Sequence, residues 1–143
     1  MIIDLDGTLC DVRHRTHLVR QSPPDWGAFF AACVDDTPNH AVLSLLHMAA
    51  DCGYAVLLVS GRPEESRGLT EQWLARFGLA RHAALLMRAD GDFRPDAVVK
   101  REIYDRSIVG HYDVVFAVDD RNVVVAMWRE LGLTCLQVAE GVF

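Results

Sequence analysis

Apolar positions along this chain follow two rhythms. Short continuous apolar runs, "MII", "YAVLLVS", "AALLM", "DVVFAV" and "TCLQVA", recur between longer stretches whose apolar residues return every three or four positions. The runs predict strands buried on both faces, and the periodic stretches predict helices. The helical stretches are "HAVLSLLHMAADCG", closed by Gly53, "ESRGLTEQWLARFG", closed by Gly78, "RPDAVVKREIYDRSI" and "RNVVVAMWREL". Pro63 suits the entry to the second of them, where a missing N–H costs nothing. Strands alternating with helices of this length imply right-handed crossovers. The expected fold is therefore α/β, a doubly wound parallel sheet with helices on both faces.

One stretch interrupts the alternation. Residues 11–39, "DVRHRTHLVRQSPPDWGAFFAACVDDTPN", carry paired prolines, three arginines and the aromatic cluster Trp26, Phe29 and Phe30. It reads as a small cap-like insertion after the first strand, with short helices at most, inside a single domain spanning 1–143. At 143 residues the chain is long enough for one domain with a sizeable core and too short for two of full size. No apolar run approaches a membrane span and no signal-peptide pattern opens the chain, so a cytoplasmic protein without membrane contact is expected.

Charge and cysteine content narrow the chemistry. A net charge of -6 argues against a broad electrostatic grip on nucleic acid, although it leaves room for a local basic pocket. Cys10, Cys33, Cys52 and Cys135 form no C-x-x-C pair, so neither a zinc knuckle nor a disulfide scaffold is indicated; Cys52 and Cys135 are expected in the core. The informative residues are the polar ones where strands end. Asp4 and Asp6 follow the first strand, Ser60-Gly61-Arg62 the second, Arg88 the third and Asp119-Asp120-Arg121 the fourth. Open α/β sheets bind ligands beyond the carboxyl ends of their strands. Carboxylates gathered there repel one another unless a cation sits among them, and oxygen ligands of this kind suit magnesium.

Asp4-Leu5-Asp6-Gly7-Thr8, Ser60, Lys100 and Asp119-Asp120, in that order, resemble the four motifs of the haloacid dehalogenase superfamily of phosphotransferases. The likeness covers nearly the whole chain. "VSGR", "MRADGDFRPDAVVKREIY" and "AVDDRNVVVAMWRELGLTCLQVAEGVF" further resemble the phosphatase domains of the bacteriophage polynucleotide kinase-phosphatase type, which remove 3'-phosphates from nucleic acid ends. The resemblance implies that Asp4 is the nucleophile of an aspartyl-phosphate mechanism and Asp6 the general acid and base, two residues on and projecting to the same side. It implies that Ser60 and Lys100 act electrostatically on the transferring group. Magnesium would be held by Asp4, the backbone carbonyl of Asp6, and Asp119, with Asp120 supporting. Asp96, one turn before Lys100, and Thr8 support the site, while Gly61, Arg15, Arg62 and Arg88 bind the substrate phosphate, for which the guanidinium fork is suited.

Plainer readings exist for several of these residues. Asp119-Asp120 alone can be a helix cap, as can Ser60. Arg13 and Arg20, and less readily Arg15, fit a solvated surface segment, Asp90-Gly91-Asp92 a tight turn, and His14 and His17 a partly exposed loop. Trp26, Phe29 and Phe30 offer a base-stacking platform or, more simply, packing of the insertion onto the core; Trp73 and Trp128 fall on apolar helix faces and are expected buried. The reading favoured by the whole set is a magnesium-dependent phosphatase of 3'-phosphorylated DNA or RNA ends. A nucleotidase or general small-molecule phosphatase is the alternative on the same fold, and a noncatalytic phosphate- or nucleic-acid-binding module the alternative of another class. No G-x-x-x-x-G-K-[ST] occurs, so kinase chemistry is not expected from this chain. Only three residues precede Asp4, which suggests either a domain cut from a longer polypeptide, with a kinase or other domain upstream, or a free-standing enzyme with a spare start.

Overall fold

The computed structural model describes residues 1–79 and 81–141. Its main sheet has five strands: β1 (Ile2–Ile3), β4 (Leu57–Pro63), β5 (Ala84–Arg88), β6 (Phe116–Asp119) and β7 (Thr134–Gln137), in the order β5-β4-β1-β6-β7. All four pairings are parallel. The doubly wound α/β expectation holds, and every apolar run read as a strand forms one.

Residues two apart share a face of a strand, so neighbouring residues on the sheet feed opposite cores. Ile3, Leu58, Leu85 and Val118 pack against α3 (His40–Asp51) and α4 (Arg67–Arg76) through Val42, Leu46, Trp73 and Leu74. Ile2, Leu57, Val59 and Ala117 pack on the other side against α5 (Asp96–Ser107) and α6 (Asn122–Glu130) through Val99, Ile103, Val124 and Trp128. Trp73 and Trp128 are buried as expected. Cys135 is buried, but Cys52 is exposed: it falls at the C-cap of α3, past the last turn whose face meets the sheet.

The central strand is also among the shortest. β1 has only two residues, yet it is paired on both sides, Ile2 with Leu57 and Ala117, Ile3 with Leu58 and Val118. Chain direction along the sheet reverses here, later strands being added first on the β4 side and then on the β6 side. That makes the carboxyl end of β1 the switch-point crevice. Asp4 leaves β1 at this place, anchored by its N–H to the carbonyl of Val118 at 3.0 Å.

The segment 11–39 is better organised than its sequence suggests. β2 (Cys10–Asp11) and β3 (Thr37–Pro38) form a small antiparallel ribbon that closes its two ends together. Between them lie α1 (His17–Arg20), α2 (Trp26–Ala31) and two short 3-10 turns, with Asp25 capping α2 by accepting from the N–H of Ala28. Phe29 and Cys33 anchor the segment in the interior. Arg13 pairs with Asp11 on the surface, and Asp90-Gly91-Asp92 is a tight turn with Gly91 at φ +73°. No helix among the described residues is long and apolar enough to cross a membrane.

Candidate active site

The carboxyl ends of the strands open onto a cavity of about 550 Å³. Asp4, Asp6, Gly61, Arg88, Asp96 and Asp120 line it, together with residues of the 11–39 segment and of the loop between β5 and α5. Carboxylate oxygens of Asp4, Asp119 and Asp120 all lie within 4.8 Å of one another, and all three residues are buried. Lys100, on the sheet-facing side of α5, reaches into this group: its Nζ donates to Asp4 Oδ1 at 2.6 Å and Asp119 Oδ2 at 3.0 Å, with Asp96 Oδ2 at 3.6 Å. Trp128 Nε1 and the N–H of Arg121 also donate to Asp119, while Thr8 Oγ1 donates to Asp120 Oδ1 at 3.2 Å.

The loop after β1 is fitted to these carboxylates. Gly7 has φ +89°, and a Cβ built on it would lie 2.4 Å from Asp120 Oδ2. Glycine is therefore required both by the turn and by the close approach of Asp120. Gly61 meets the same constraint from the other side, where a Cβ would fall 2.1 Å from Asp96 Oδ1. It sits at an irregularity in the β4–β5 pairing between Ser60 and Pro63, a bulge that re-aims the chain at the sheet edge. Ser60 is buried there, its Oγ accepting the N–H of Arg62 at 3.2 Å.

Burial and charge pull the two motif carboxylates apart. Burial pushes the Asp4 carboxyl well above the usual range; the Lys100 charge opposes this, and Asp119, Asp120 and Asp96 reinforce it. Asp120 is raised as well, by burial and then by Asp119. Burial alone would lower the Lys100 ammonium, but the surrounding Asp119, Asp4 and Asp96 hold it well above the ordinary lysine value. Lys100 is accordingly a fixed cation. Asp6 is the opposite case: burial would raise its carboxyl, yet Arg62 and Arg15 bring it down to about 2.

Those arginines were expected on the substrate phosphate and are instead found behind Asp6, fully buried and outside the cavity lining. Arg15 Nη2 and Arg62 Nε donate to Asp6 Oδ1 at 2.7 and 2.9 Å. A second carboxylate completes the arrangement. Asp36, with no exposed side-chain surface, accepts from Arg15 Nε at 2.7 Å and Nη2 at 2.6 Å, from Arg62 Nη2 at 3.0 Å, and pairs with His14 Nε2 at 2.8 Å. Arg15 additionally lies 4.1 Å over the ring of Phe29. Two buried arginines and two carboxylates thus neutralise one another, with Asp6 as the member that faces the cavity. Asp36 escaped the sequence reading because "VDDTPN" has no motif spacing; only the pairing of Arg15 with Arg62 asks for a second counter-ion.

Arg88 lines the cavity but is committed mainly to the loop that follows it. It donates to the carbonyls of Gly61, Asp92 and Arg94 at 2.8, 3.0 and 2.7 Å, and to Asp96 Oδ1 at 3.0 Å. Three buried carboxylates share one ammonium, two of them pushed towards protonation by burial and then by their neighbours' charge, which is a set of hard oxygen donors fit for a divalent cation.

Residues 1–143 match the family model for the phosphatase domain of polynucleotide kinase PNKP. The chain belongs to this family. It is a phosphatase of the haloacid dehalogenase type. At 40% identity and a TM-score of 0.87, 99% of the chain superposes on 42% of a chain in a structure of the Pnkp1/Rnl/Hen1 RNA repair complex. A bifunctional polynucleotide kinase/RNA ligase assignment accompanies a protein of Autographa californica nuclear polyhedrosis virus that is 26% identical over 132 residues, 92% of this chain but 18% of the viral protein. The chain therefore spans less than half the length of either relative. A Clostridium difficile phosphatase structure, 17% identical with a TM-score of 0.70, covers 95% of this chain and 82% of its own, and shares the fold.

Proposed function

We propose that this protein removes 3'-phosphates from DNA or RNA ends with the help of magnesium, through an aspartyl-phosphate on Asp4. The observation that carries the reading is the convergence of the buried Asp4, Asp119, Asp120 and Lys100 at the carboxyl ends of the strands, beneath the switch-point cavity. The membership of the chain in the polynucleotide kinase phosphatase family supports a nucleic acid end as substrate. Asp4, Asp119 and the backbone at Asp6 would hold the metal, with Asp120 supporting them. A bound dication would favour the ionised form of Asp4 and balance charge on the phosphoryl group.

Lys100 draws Asp4 Oδ1 into a fixed position, so that one carboxylate oxygen is presented to phosphorus. As the Asp4 oxygen bonds to phosphorus, the bond to the 3'-oxygen breaks, and that oxygen takes a proton from Asp6. Water then attacks the aspartyl-phosphate, giving its proton to Asp6 and releasing inorganic phosphate and the Asp4 carboxylate. Ser60, whose lone pair is engaged by the N–H of Arg62, has its hydroxyl proton to give to a phosphoryl oxygen. Arg15 and Arg62 act through Asp6. With both forks on its oxygen, Asp6 rests ionised, the form that accepts a proton from water; the negative charge of a phosphate dianion arriving in the cavity beside it raises Asp6 towards the form that protonates the leaving oxygen. The segment 11–39 is in this reading a small cap that supplies Arg15 and Asp36 to the acid, and an upstream or downstream repair domain would be its partner in a longer polypeptide.

Phosphate release is measured with magnesium on 3'-phosphorylated DNA, 3'-phosphorylated RNA, mononucleotides and small phosphomonoesters. Preference for the oligonucleotide ends is expected. Efficient hydrolysis of small esters with none of the oligonucleotides would refute the end-processing assignment in favour of a small-molecule phosphatase. Release from none of them would leave a binding module.

A further inference from the structure

The walls of the cavity change character with height. Its floor is Asp4 and Asp6, while its outer part carries Trp26 and Phe30 from α2 and Phe93 from the loop between β5 and α5. Phe93 is 96% exposed and Trp26 50%, although Phe29 beside them is buried. A phenylalanine held almost wholly in water costs hydrophobic free energy that packing would recover. Its loop is nevertheless built to keep it there. Arg88 Nη1 clamps the two carbonyls that flank Phe93, those of Asp92 and Arg94, while Asp92 accepts from the backbone and side chain of Arg94 and Gly91 turns the chain with φ +73°. The same Arg88 grips the carbonyl of Gly61 and the carboxylate of Asp96 at the catalytic end. The loop is thus braced from the strand that leads to it, and its exposed ring stands on the rim of the catalytic cavity.

We infer that Phe93 and Trp26 form a stacking site for the base of the nucleotide whose phosphate is removed. Trp26 is itself prearranged, stacked on Phe30 with centroids 6.0 Å apart and an interplanar angle of 26°, and set edge-on to Phe29 at 5.8 Å. No other ring among the described residues stacks with Phe93 in this way, which leaves its face for a planar ligand. Every base has such a face, so the site reads the presence of a base and not its identity. Arg94, half exposed one residue on, is paired with Asp92 and Glu102, so the rim offers the ligand ring faces rather than a positive field, in keeping with the acidic net charge. This inference rests on the nucleic-acid-end reading and adds the residues that recognise the nucleoside.

Binding is measured, with magnesium, to the Asp4→Asn variant, using a 3'-phosphorylated trinucleotide and the same oligomer with an abasic terminal residue. The base-bearing end is expected to bind about tenfold more tightly or better, and adding Phe93→Ala or Trp26→Ala should shrink that ratio towards one, while Phe93→Trp restores it. Phe93 is exposed, so its replacement does not disturb the core. Equal affinity for the two oligomers, or a ratio that Phe93→Ala leaves intact, would overturn the stacking site while phosphate release from both ends by the unaltered enzyme still stood for the end-processing reading. If neither oligomer binds more tightly than inorganic phosphate, the nucleic-acid-end reading falls and the stacking site with it.

Discussion

Replacing Asp36 by asparagine tests the buried ion quartet most directly. The side chain keeps its shape but loses its charge, and among the described residues Asp6 becomes the only carboxylate paired with Arg15 and Arg62, neither of which has any exposed side-chain surface. Breaking one partner out of a buried, hydrogen-bonded ion network costs about 3–5 kcal/mol, because the remaining charges stay desolvated. A chain of 143 residues unfolds with an entropy of about 0.3 kcal/mol per kelvin, from about 2.1 cal/mol/K per residue, so the melting temperature should fall by about 10–17 °C. Circular dichroism melts of the two proteins in the same buffer read this out. A catalytic consequence follows from the same electrostatics: both guanidinium groups now lean on Asp6, its proton affinity drops further, and the limb of the kcat-pH profile governed by the general acid moves to lower pH. A purely structural role for Asp36 would lower the active fraction without moving that limb. If the variant melts within about 3 °C of the parent, the quartet does not carry the stability assigned to it, and the argument built on breaking a buried pair fails.

Other expectations are sharper in sign than in size. Asp4→Asn should abolish phosphate release in single-turnover assays while the fold persists, and undiminished release would exclude Asp4 as nucleophile. Magnesium should raise the melting temperature of the parent and not that of Asp119→Asn, as seen by calorimetric scans with and without a chelator; an equal rise in both would place the ion elsewhere. The Asp6 carboxyl is depressed from 3.8 to about 2, so its stabilising contribution is fully present above about pH 4 and is lost as pH falls through 2; measured against Asp6→Asn by urea titration, the parent should lose about 2 kcal/mol over that interval. Gly61→Ala should cost activity well beyond its effect on stability, because the new methyl group displaces Asp96 from beside Lys100 and Arg88; a variant with parental kcat would refute that.

Much of this architecture was legible before any coordinates because the physics behind it is local. Strands buried on both faces must be apolar throughout and helices on them must repeat, so the five strands and the four long helices stand out. The motif carboxylates likewise reveal themselves, since a sheet has no structural use for Asp4, Asp119 and Asp120 at one edge. What stayed hidden depends on tertiary neighbours. Asp36 is an ordinary loop residue until Arg15 and Arg62 are brought to it from 21 and 26 positions away. The β2–β3 ribbon has two residues a side and ends in a proline, too short for any period to register. Phe93 sits in a turn sequence, "DGDFRPD", where nothing distinguishes a ring on display from one tucked under the loop. Arg15, Arg62 and Arg88, expected on a phosphate, meet Asp6, Asp36, Asp96 and backbone carbonyls, because sequence order can bring a cation near a site without saying which anion it meets first.

Asp36 also carries the tie between the 11–39 segment and the sheet. Its carboxylate holds arginines from both, and its backbone carbonyl accepts the indole N–H of Trp73 on α4 at 2.7 Å. Swinging the segment outward would pull opposite charges apart in a poorly polarisable interior and tear that indole bond at once, an excursion far beyond thermal energy. The segment is therefore masonry and not a door. Under the proposed reading a strand end would enter between α2 and the arginine-braced loop that bears Phe93, so the shape of that one short turn, and not the motion of a cap, would set how wide an end this site can admit.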